Sequence, residues 1–169
     1  ARAAEDYQRR VADIRADLAD RLTDIEAAHQ ERAEELVAEY SDRREAAIAE
    51  HEERKAQIER QARRDMIMAA MRLDASGVFA ARQRLKDQQS DEERAFKKRL
   101  GELDKWLTES QAQENKSHEK RIEAAREAAD EQLEDLRERY EREEQLAREN
   151  REARLAELRT QHQRELAEM

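Results

Sequence analysis

The sequence predicts an all-α protein: long charged helices with an eleven-residue apolar repeat, paired as a coiled coil. Three observations carry this. Proline is absent and glycine occurs only at Gly77 and Gly101, so helix breakers are nearly missing. Apolar residues return at intervals of eleven. Acids precede bases by four residues at Glu5/Arg9, Asp17/Arg21, Glu39/Arg43, Glu50/Arg54 and Glu144/Arg148, each such pair adding about 0.2–0.5 kcal/mol to a helix. With 46% charged and 37% apolar residues, the chain cannot build a deep core and must bury narrow stripes. The same composition is also a mark of disorder, but sustained periodicity argues for helix.

The first long helix is expected over residues 1–73. Its seam contains Tyr7, Ile14, Leu18, Leu22, Ile25, Leu36, Tyr40, Ile58, Met66 and Leu73, with Arg44 and Lys55 interrupting one column. An eleven-residue period corresponds to ~3.67 residues per turn, close to a relaxed helix, so the seam runs nearly straight or winds slightly right-handed.

A break is expected between Leu73 and Leu85, because the apolar columns are displaced by one residue across that interval. Turn-favouring residues cluster there as Asp74-Ala75-Ser76-Gly77. Asp74 can cap a new helix by accepting from the backbone of Ser76 or Gly77, and Gly77 lowers helical preference. Two architectures fit: an antiparallel helical hairpin turning near residues 73–77, or one extended helix kinked there. In a hairpin, equal distances from the break would set Leu18 near Leu133, Ile25 near Ala125 and Met66 near Leu85.

The second long helix is expected over residues 74–169, with Leu85, Phe96, Leu100, Leu107, Ile122, Leu133, Leu136, Tyr140, Leu155 and Leu158 on its seam, and Leu166 and Met169 continuing the columns. Residues beyond about Arg148 would need a partner outside this hairpin. No globular domain is expected. The repeat is already running at Ala1 and still running at Met169, which reads as a segment of a longer polypeptide.

Chemistry-bearing constellations are not apparent. There are no cysteines, which removes disulfides and thiolate metal sites. The four histidines, His29, His51, His118 and His162, recur at multiples of eleven within each half. At ~1.5 Å per residue those in one helix lie too far apart to share a metal. His51-Glu52-Glu53-Arg54 is followed by Lys55, so it lacks the second histidine of a helical zinc motif. No catalytic, cofactor-binding or metal-ligating residue is singled out, no cofactor is expected, and a non-enzymatic role is the expectation.

Charge is uneven. Residues 54–105 hold fourteen basic against nine acidic side chains within a chain of net charge −9. Bases interleaved with acids and few aromatics argue against a single-strand nucleic-acid platform, whereas oppositely charged regions favour self-association into a homo-oligomer. The densest apolar patch is Met66, Ile67, Met68, Met71, Val78 and Phe79, flanked by Arg63, Arg64 and Arg72. It is too short to span a bilayer, and no membrane partner is expected.

The run from Met66 through Leu73-Asp74-Ala75-Ser76-Gly77-Val78-Phe79 to Arg84, flanked by Asp13-Ile14-Arg15 and by Leu136-Arg137-Glu138-Arg139-Tyr140, resembles tail tape measure proteins of long-tailed bacteriophages and prophages. The resemblance covers most of the chain in style but only about twenty residues as a motif. It implies a structural ruler: several copies lying in the lumen of the tail tube, which polymerises around them in the host cytoplasm until their length is covered. Tube proteins would then be the partners. The membrane-active stretches and wall-degrading domains of longer members have no counterpart here. The reading beside it is a cytoplasmic cytoskeletal or scaffolding coiled coil, or a single-helix spacer.

Overall fold

The computed structural model describes the backbone of residues 2–168 and the side chains of residues 3–164. It contains two helices, α1 (Arg2–Met71) and α2 (Ala75–Glu168), joined by the three-residue turn Arg72-Leu73-Asp74. Of the two architectures the sequence allowed, the chain adopts the all-α hairpin.

The turn follows from backbone hydrogen bonding at two helix ends. At the close of α1, Leu73 donates to the Ala70 carbonyl at 3.0 Å and Asp74 to the Ala69 carbonyl at 3.0 Å. This is the Schellman arrangement, which satisfies carbonyls that the helix end would otherwise orphan. It requires a left-handed residue, and Leu73 supplies it with φ 57°. A leucine there bears a steric penalty that glycine would avoid. Helix α2 then opens with Asp74 as its cap: Gly77 N donates to Asp74 Oδ1 at 2.9 Å, Ser76 Oγ donates to the same oxygen at 2.8 Å, and Val78 N reaches the Asp74 carbonyl at 3.1 Å.

Gly77 therefore lies inside the first turn of α2, and the left-handed position belongs to Leu73. A Cβ on Gly77 would come within 2.3 Å of Asp74 Oδ2 and 3.1 Å of Ala69 Cβ. Glycine is needed here to make room for the capping carboxylate. At Gly101 a Cβ would meet nothing within 4 Å.

The chain divides into two compact units. The first combines Ala1–Ala27 with His118–Met169. In it Val11, Ile14, Leu18, Leu22 and Ile25 of α1 and Ile122, Leu133 and Leu136 of α2 are half-buried, and Ala129 is buried. Tyr7 meets Tyr140 with ring centroids 4.7 Å apart, and Glu26 pairs with His118 at 3.3 Å, so the two stretches run antiparallel. The second unit, Ala28–Ser117, contains the turn. Its buried side chains are Leu36, Ala47, His51, Ala62 and Ala81. Three of the five are alanines, as expected where two helices approach closely over a narrow stripe.

The hairpin register differs from the equal-distance expectation. Tyr7 faces Tyr140, Glu26 faces His118 and His51 faces Glu92. In these three pairs the partner lies about one to two turns nearer the break than equal spacing would put it, whereas Glu50 with Arg99 and Arg43 with Trp106 depart from equal spacing by only about two residues. The cause is the compactness of the turn. The helices end at Met71 and restart at Ala75, so the pairing centres on Leu73 and not on the middle of the Leu73–Val78 interval.

Candidate functional site

Two features stand out along the helix pair: a set of polar layers set into the seam, and the apolar tip at the turn. Tyr40, Ile58, Met66, Leu85, Phe96, Leu100 and Leu107 are half-buried on the seam of the second unit, as is Tyr140 in the first. Three residues expected on the seam depart from it. Leu73 is 94% exposed, because the turn swings it out of both helices. Leu155 and Leu158 are exposed at 53% and 59%, since α2 continues beyond the stretch that Tyr140 and Tyr7 bring against α1. Leu166 and Met169 lie outside the described side chains.

The polar layers repeat. His29 lies 3.6 Å from Glu114, and twenty-two residues nearer the turn on each helix His51 Nδ1 lies 3.2 Å from Glu92 Oε1. His51 is 8% exposed, its ring is stacked on Phe96 at 4.1 Å, and Glu93 and Arg54 lie within ion-pair range of the same layer, on its outer side. In the first unit the order is reversed, with His118 on α2 and Glu26 on α1. Tyr40 donates to Asp104 at 2.5 Å, which pushes the phenol up from its ordinary value because the neutral form keeps the hydrogen bond. Arg99 reaches Glu50 at 2.6 Å, and the Arg43 guanidinium lies 4.2 Å over the Trp106 ring.

The histidine columns were visible in the sequence as packing positions, but their partners were not singled out. The signal was present. Counting back by elevens from Leu136, Ala125 and Leu103 lands on Glu114 and Glu92. A carboxylate on an apolar column facing a histidine column is a cross-helix pair, and such pairs fix register more than they add stability.

At the tip, Ile67, Met68, Met71 and Phe79 are 53%, 52%, 77% and 72% exposed beside Leu73. Met66 and Val78, counted with them in the apolar patch, are half-buried. Between residues 60 and 86 there are seven basic and two acidic side chains, and all seven basic ones are exposed. Asp74, the acid at the turn, is held below the usual carboxylate range by the hydrogen bonds from Gly77 and then Ser76.

Grooves in the first unit flank the seam, one lined by Arg10, Asp13, Ile14, Gln132, Asp135, Leu136 and Arg139; it carries both charge signs around a small apolar floor. Among the described residues no group of three or more histidines and acids could hold a metal ion, and no helix is long and apolar enough to cross a membrane. Neither a protein-family model, nor a curated protein sequence, nor a solved structure matches the chain.

Proposed function

We propose that the chain is a structural coiled-coil segment of a phage tail tape measure protein, working in assembly and not in catalysis, inside the tail tube lumen and against the tube proteins. The observation that carries this reading is the eleven-residue repeat sustained through helices of 70 and 94 residues. Length made by repetition is the property a ruler uses, and the turn region is the stretch that resembles that family.

The hairpin favours a second reading. Arms that already satisfy each other across polar layers can serve as a cytoplasmic scaffolding coiled coil or as a spacer between other domains, acting through self-association.

Tail length decides between them. Matched deletions of twenty-two residues from each arm are made in the parent gene of a phage or prophage, and tails are measured by electron microscopy. A ruler lying as a hairpin shortens the tail by about 33 Å, and one drawn out into a continuous helix by about 66 Å, from ~1.5 Å rise per residue. Assembled tails of unchanged length would sink the ruler and leave the scaffold.

A further inference from the structure

We infer that the hairpin tip is a peripheral docking site for an anionic lipid surface. This does not depend on the ruler reading. The first observation is the axial order of side chains on the outward faces of both helices. On α1 the stripe Arg60, Arg64, Met68, Met71 lies opposite the seam residues Met66 and Ala69, with the apolar members nearest the turn. On α2 the exposed residues Phe79, Arg82 and Lys86 run along one flank of the seam formed by Val78, Ala81 and Leu85, again with the apolar residue nearest the turn. Leu73 caps the apex at 94% exposure. The apex thus exposes Met71, Leu73 and Phe79 with the charged Arg72 and Asp74 among them, and a collar of further cations follows about 5–15 Å behind it along the helix axes, at ~1.5 Å per residue.

That order matches a lipid–water boundary. Apolar side chains of a peripheral element sink ~5–10 Å to the acyl boundary, which leaves the collar at the level of the phosphates, where basic side chains are attracted by anionic lipids. The excess of basic side chains between residues 60 and 86, in a chain of net charge −9, supplies the charge complementarity.

Other occupants fit less well. A second copy of the tip would bring two cationic collars together. A protein partner would have to cover Met71, Leu73 and Phe79, which are exposed on two helices and the turn between them, whereas a bilayer conforms to such an apex. A nucleic acid would use the collar but has no counterpart for Leu73 and Phe79.

The test uses the full chain and exploits its lack of cysteine. An environment-sensitive dye is placed on Leu73→Cys and, as a control far from the tip, on Gln111→Cys. Each is titrated with phosphatidylcholine vesicles with and without phosphatidylserine. The expected result is a blue shift at position 73 only, only with phosphatidylserine, and lost in high salt. Arg64→Gln/Arg82→Gln and Met71→Ser/Phe79→Ser should each weaken vesicle binding on the order of tenfold. Circular dichroism checks that these exposed substitutions leave the helices intact; if one does not, the dye at position 73 decides alone. Equal response to neutral vesicles, equal shifts at positions 73 and 111, or no response to any vesicle would overturn the inference.

Discussion

The two units of this chain use one repeat in different ways. In the first unit the seam is chiefly aliphatic, from Val11 to Ile25 on α1 and from Ile122 to Leu136 on α2, with one histidine–glutamate layer and a tyrosine pair at its outer part. In the second, the aliphatic residues Leu36, Ile58, Leu85, Leu100 and Leu107 share the seam with three buried alanines and with polar layers at His29/Glu114 and His51/Glu92, and Tyr40 bonds Asp104 at the exposed margin. Aliphatic columns bury area but accept many alignments, whereas polar layers bury less and accept few. The difference teaches that adhesion and alignment can be assigned to different stretches of the same repeat.

The sharpest way to break this contrast is in the second unit. Leu36 is its most buried large side chain at 3% exposure, and Leu36→Ala should cost about 2–3 kcal/mol by thermal unfolding followed by circular dichroism, in line with core truncations. Ile14→Ala, at a half-buried site of the first unit, should cost about half of that. Equal costs would mean that the two seams are packed alike.

Next comes the His51/Glu92 layer. Glu92→Leu alone should lose about 1–3 kcal/mol, because His51 keeps its buried ring nitrogen without the carboxylate. The double change His51→Leu/Glu92→Leu should recover at least half, since an apolar pair of similar size tolerates the site. If the double variant is as unstable as the single one, the layer contributes stability and not merely alignment.

The two glycines should respond with opposite signs. Gly101→Ala is expected to stabilise by about 0.5–1 kcal/mol, the ordinary helical preference for alanine where space is open. Gly77→Ala should lower the melting temperature by displacing the Asp74 cap, and Leu73→Gly should raise stability by about 0.5–1 kcal/mol by relieving the left-handed leucine. A stabilising Gly77→Ala would show that the capping carboxylate moves aside at no cost.

The smallest effect is pH-dependent. Asp74 sits below its ordinary pKa in the folded chain. Its contribution is therefore present above the unfolded value of roughly 4 and fades as pH falls through the lower folded value. The stability gap between wild type and Asp74→Ala should be constant near neutrality and should narrow below about pH 4. A gap that widens in acid would contradict the cap.

Much of this was legible in the residues. The helices, the break and the Asp74 cap follow from periodicity and turn chemistry, which are local. What escaped was decided by which backbone groups close the turn. A Schellman ending puts the left-handed residue at Leu73, a leucine expected on the seam. The register was legible only approximately, because the exact centre of the turn decides how far each cross-helix pair departs from equal spacing. The polar layers were missed for a different reason: Glu92 and Glu114 look like solvated charges until their columns are counted through.

The recurrence of the histidine–glutamate layer after twenty-two residues on both helices also bears on how such a gene can change. A copying slip that inserts or deletes eleven residues in one arm, between its two layers, breaks the spacing that the other arm requires and leaves one histidine facing an apolar residue of the same column, such as Leu103 or Ala125. A compensating slip of equal length in the opposite arm restores every pair. Arm lengths in descendants of this sequence should therefore drift together, with the turn as the fixed point about which both are counted.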